Sequence, residues 1–107
     1  MLSVPALIDY VSVQPESTVS RTVLKADGAR IVLFAFDQGQ VLTEHTAAMP
    51  VLLQTLSGVL RITASGQSVD LVPGGVIHLD AREPHAVDAI EASVLQLTML
   101  DPRQSAS

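Results

Sequence analysis

The chain has 107 residues, 48% of them hydrophobic and 16% charged, with no cysteine. That length and composition suit one globular domain over residues 1–107, and the missing cysteine excludes disulfides, thiolate nucleophiles and zinc–thiolate centres. A net charge of −5 with no Lys/Arg cluster argues against a nucleic-acid partner. An aromatic content of 3% argues against a base- or sugar-stacking platform.

In chain order, "MLSVPALIDY" starts an N-terminal arm (1–18) that suits one helical turn or an extra edge strand. It lacks the basic start of a signal peptide, and no apolar run approaches the ~18 residues that span a bilayer. A cytoplasmic location without membrane contact is therefore expected. Short β-branched or apolar runs follow: "TVSRTVLKA" (18–26), "ARIVLFAF" (29–36), "VLLQTL" (51–56), "VLRITA" (59–64), "SVDLV" (68–72), "GVIHL" (75–79), "HAVDAI" (85–90) and "SVLQLTML" (93–100). Gly, Pro, Asp or Ser separates them where the chain must turn. Eight short strands with short links predict an all-β sandwich or barrel. A short tail, 101–107, ends in "PRQSAS", which reads as a frayed end.

"IVLFAF" is apolar on both faces. Ile31, Leu33 and Ala35 point one way, and Val32, Phe34 and Phe36 the other. A barrel strand with one wet face would alternate, so something covers the outside. A second copy of the chain is the simplest cover, which predicts a homodimer. The N-terminal segment folded over that face is the alternative.

Two stretches carry the chemistry. In "GQVLTEHTAAMP", five residues separate Gly39 from His45, and Gly58 follows at the end of an apolar strand. In "LVPGGVIHLDAREPHAV", Gly74, Asp80, Arg82 and His85 follow at intervals of five, one and two residues. These spacings resemble the two motifs of the cupin family, G-x5-H-x-H-x3,4-E-x6-G and G-x5-P-x-G-x2-H-x3-N. The resemblance covers about residues 19–100.

It implies a cupin-type double-stranded β-helix, a small jelly-roll barrel open at one end and often dimeric. Cupins commonly hold one divalent metal (Fe, Mn, Ni, Zn or Cu) through three histidines and one glutamate. Their activities include dioxygenases, isomerases, epimerases and decarboxylases, and others are sensors or storage proteins, so the fold alone names no function. His45 falls on the first histidine of the motif and His85 on the third. Ala47 stands where the second belongs, and Val51 where the glutamate belongs. Asp80, Arg82 and Ala89 replace Pro, Gly and Asn of the second motif.

Two imidazoles with water in the other positions make a weak metal site, so the expected cofactor is none or one weakly held divalent ion (Ni, Zn, Fe or Mn) at His45 and His85. If residues 45 to 53 form one strand, His45, Ala47, Met49, Val51 and Leu53 share a face. The expected ligand pocket is then His45, Ala47, Val51, Leu53 and His85. It is mostly apolar and suits a small organic molecule such as a compact acid, ketone or aromatic.

Three readings follow. In the first, a metal-dependent oxygenase or isomerase takes a third ligand from His78, Glu44 or Gln54. In the second, a metal-free pocket binds its ligand through the histidines or uses them as acid and base. In the third, the barrel is filled by side chains and the histidines are inert. Arg82 stands at the barrel mouth as a carboxylate clamp or as a solvated loop residue. Met49 and Met99 read as core filler or soft pocket lining. Gln54 has the parity opposite to His45, which places it on the outside or at the interface. Asp80 and Glu83 read as a polar turn, and no nucleophile or phosphate-loop motif is present.

Overall fold

The computed structural model describes residues 1–101, so the expected frayed segment 102–107 lies outside the described residues. A 3-10 turn, Leu7–Tyr10, precedes β1 (Thr18–Ala26), β2 (Ala29–Phe36), β3 (Val41–His45), β4 (Val51–Ser57), β5 (Leu60–Ala64), β6 (Gln67–Leu71), β7 (Val76–Leu79), β8 (His85–Ala89) and β9 (Ser93–Leu100). Two antiparallel sheets result, one in the order β1-β2-β9-β4-β7 and the other β3-β8-β5-β6. The eight expected strands are present with ends within one residue of the sequence reading.

Alternation explains the layering. In β4, Val51, Leu53 and Thr55 are buried while Leu52, Gln54 and Leu56 are half-buried. The buried set faces Leu60 and Ile62 of β5 and Val87 and Ala89 of β8, and these join Phe36, Leu95 and Leu97 in one hydrophobic core between the sheets. Thr55 is buried without penalty because its hydroxyl donates to the Leu71 carbonyl at 2.9 Å. The β5–β6 turn, Ser65–Gly66, has φ of 52° and 74°, the positive pair a two-residue type I′ hairpin requires.

β3 was not expected, and it overturns the idea of one strand through residues 45 to 53. β3 ends at His45, and residues 46–50 carry the chain to β4 in the opposite sheet. His45 and Val51 therefore stand at the same end of the sandwich but on facing sheets. Pro50, which cannot donate to a ladder, closes the connection.

The two-faced strand β2 is covered within one chain. Leu33 and Ala35, on its outer side, are both 0% exposed. Arg21, the cross-strand neighbour of Leu33, donates from Nη1 to the Tyr10 carbonyl at 3.2 Å and lies over the Tyr10 ring. The N-terminal arm thus reaches this side of the sheet at Arg21. No helix among the described residues is long and apolar enough to cross a membrane.

Candidate functional site

His45 and His85 are brought together by strand register. They are directly opposite in the β3–β8 ladder, and His85 is in turn opposite Ala64 of β5. The register depends on a bulge in β3. Leu42 pairs with Val87, but the next pair is His45 with His85, so β3 spends one residue more than β8. Without that bulge Glu44 would face inward and His45 outward. The imidazole centroids are 4.2 Å apart with the planes tilted by 57°. His85 is 3% exposed, and His45 is half-buried.

Both rings are oriented by their own strands. The Nδ1 of His45 lies 2.8 Å from the Thr43 carbonyl, and the Nδ1 of His85 lies 2.9 Å from the Glu83 carbonyl. A carbonyl oxygen only accepts, so each Nδ1 carries the proton and donates it. In the neutral ring the lone pair is then on Nε2. The arrangement offers two Nε2 atoms from adjacent strands, each held in one tautomer by the backbone.

The loops around the pair are tied together. The Arg82 amide donates to the Ala47 carbonyl at 2.7 Å, linking the β7–β8 loop to the β3–β4 connection. Glu83 braces the first of these loops. Its carboxylate accepts from the Ser65 hydroxyl at 2.6 Å and from the Asp80 amide at 3.0 Å. The Ser65 hydrogen bond, then the Asp80 amide and the nearby His78 and His85, hold this carboxyl below the usual glutamate range. Arg82 has a φ of 63°, in the left-handed region where the cupin motif has glycine. The turn needs that conformation whichever residue occupies it.

The donor set does not fit a resident transition-metal centre. Ala47 has no donor, and Val51 is hydrocarbon at 1% exposure. Of the three candidate third ligands, His78 is opposite Leu52 and Gln54 is opposite Gln96, both on the outer face of their sheet. Glu44 is exposed, turned away by the bulge. Among the described residues no group of three His, Cys, Asp or Glu side chains could hold a metal ion.

Of the remaining expected pocket residues, Val51 and Leu53 face the interior from the opposite sheet and belong to the core. Ala47 packs half-buried against that core. Two surface clefts have other walls. One of about 420 Å³ is lined by Lys25, Arg30, Met49 and Met99, and one of about 180 Å³ lies between β5, β6 and β7 beside His78 and Glu83. Lys25 was missed in the sequence because its facing depends on a second bulge, in β1 between Thr22 and Leu24; Arg30 shares its face of β2 with Val32 and Phe34, and no motif marks it.

No family model matches the sequence, and no curated protein matches it. Solved structures do. A conserved protein of unknown function from Streptococcus pyogenes superposes with a TM-score of 0.82 at 27% identity, covering 95% of this chain and 90% of that one. A cupin superfamily protein from Desulfitobacterium hafniense gives 0.81 at 26% identity, covering 88% and 86%. An RmlC-like cupin protein from Desulfovibrio desulfuricans gives 0.80 at 23% identity, covering 94% and 96%, a likeness of fold alone. None of the three is named for an activity. Two antiparallel sheets, the motif spacing around His45 and His85, and these superpositions agree: the chain has the cupin jelly-roll fold.

Proposed function

We propose that the chain is a binding cupin that holds one small protic organic molecule at the His45–His85 pair. The observation that carries this reading is the locked tautomer of both rings, which leaves two Nε2 lone pairs on imidazoles 4.2 Å apart. Two such acceptors suit a ligand that brings its own O–H or N–H. An acidic hydroxyl can pass its proton to one Nε2, leaving an imidazolium that donates back to the ligand oxygen. Ala47, half-buried two residues after His45, favours a compact ligand with little polar surface.

Nitrogen-resolved NMR of the imidazoles tests the reading. The free protein should show both rings as the Nδ1–H tautomer at alkaline pH. Adding a panel of small enols, phenols and carboxylic acids should move the Nε2 resonances of both rings, and His85→Ala should abolish the effect. If the panel leaves both Nε2 signals unmoved, a side-chain-filled barrel becomes the better reading. The continuous core from Phe36 through Leu53 to Val87 favours that second reading.

A further inference from the structure

The ladders place a row of side chains, with two cations at its outer end, at the His45 end of the sandwich. Lys25 of β1 pairs with Arg30 of β2, Arg30 with Met99 of β9, Met99 with Val51 of β4, and Val51 with Leu79 of β7. Cross-strand partners share a face. Val51 and Leu79 are 1% and 3% exposed, so this face packs inside the sandwich. Lys25 and Arg30 are its exposed end. Facing them, on the other sheet, β3 ends at His45 and leads to Met49.

The cleft of about 420 Å³ opens between these parts, with Met49 and Met99 among its walls and the β1–β2 turn, including Asp27, at its rim. Asp101 also contributes to the wall. Two cations directly opposite each other in a ladder repel. The described residues form an ion pair between Arg61 and Asp70, but none that includes Lys25 or Arg30. Asp27 and Asp101 line the same cleft, so the feature that points to an anion is local: two cations directly opposite each other beside two thioethers, an arrangement that an anion seated on that pair would relieve. Guanidinium binds a carboxylate in a two-pronged fashion, and methionine adapts to irregular hydrocarbon.

We propose that this cleft binds a small organic carboxylate, with the carboxylate on Arg30 and Lys25 and the hydrocarbon on Met49 and Met99. The proposal stands whether or not the histidine pair binds a ligand, because neither histidine lines the cleft.

The test is an amide NMR titration of the full chain with three probes at millimolar concentration: benzoate, benzyl alcohol and inorganic phosphate. Benzoate should saturate, with shifts centred on Gly28, Ala29 and Met99, and should bind at least about tenfold tighter than either other probe. Arg30→Gln should weaken benzoate about tenfold, and the double variant Lys25→Gln/Arg30→Gln further. Arg61→Gln, which removes an exposed cation from the other sheet, should leave benzoate affinity unchanged. Equal binding of phosphate, unchanged benzoate affinity in the double variant, or no saturation by benzoate in the unaltered protein would each overturn the proposal. Benzoate shifts lost in His85→Ala but kept in Arg30→Gln would also overturn it, while supporting the histidine reading.

Discussion

His45 and His85 face each other across the β3–β8 ladder with ring centroids 4.2 Å apart, and each ring is tied by Nδ1 to the carbonyl two residues before it. The pair therefore presents two nitrogen donors in a fixed direction and, among the described residues, no third side chain placed to share a metal ion with them. A divalent transition metal generally needs three or more protein ligands to be retained. Tag-free protein purified without chelators is expected to carry metal well below one ion per chain. Adding Mn, Fe, Ni, Zn or Cu and then desalting should not change that. Elemental mass spectrometry checks it. Near-stoichiometric metal that disappears in His85→Ala would contradict the two-donor geometry.

Gly58 is expected to be irreplaceable. Its φ is 80°, and a Cβ built there would collide with the Ser93 hydroxyl and the Ala92 carbonyl. Ser93 cannot withdraw, since it is 0% exposed and its hydroxyl donates toward the Glu91 and Val59 carbonyls. Gly58→Ala adds a left-handed penalty and a steric clash in one step, for a loss of roughly 3 kcal/mol or more. Urea unfolding followed by circular dichroism measures it. A loss under about 1 kcal/mol would mean the turn relaxes freely.

Arg82 offers the opposite case. Its φ of 63° lies where a β-carbon is strained, and its side chain is exposed. Arg82→Gly should stabilise the chain by about 0.5–1 kcal/mol, the strain relieved less the extra freedom glycine gives the unfolded chain. Arg82→Ala keeps the β-carbon and should gain nothing. Comparing the two by thermal unfolding separates backbone strain from any effect of the lost charge.

Strands such as "ARIVLFAF" and "SVLQLTML" were legible because their apolar residues pack on both sides, and the exposed edge strand "SVDLV" because turn residues bound it on both ends. β3 was not, because "VLTEH" is an edge strand with little buried surface and no β-branched run. The histidine pair was legible through motif spacing, but its inward facing was not, since it depends on the bulge after Leu42. The same is true of Lys25. Alternation counted from Thr18 along β1 would put Leu24 inside and Lys25 outside, and the bulge after Thr22 reverses this. Bulges are set by ladder partners distant in sequence, and no local pattern announces them. His78 illustrates the converse, since its outward facing follows from its pairing with Leu52 alone.

Glu83 should make the loop beside the histidines sensitive to acid. Its carboxyl is held below the usual glutamate range, first by the Ser65 hydroxyl, then by the Asp80 amide and the nearby histidines. A group whose folded pKa is depressed contributes stability that is fully present above its unfolded pKa, about 4.3 for glutamate, and lost as pH falls through the lower folded value. Asp70, held low by its hydrogen bond to Arg61, adds to the same acid-side slope. Unfolding midpoints measured from neutral pH down through the carboxylate range should therefore fall for the unaltered protein, and fall less steeply for Glu83→Gln. The glutamine retains an oxygen for Ser65 but has no proton to take up. Parallel curves for the two proteins would show that the carboxylate contributes no pH-linked stability, and that a neutral oxygen at this position braces the loop as well as the charge does.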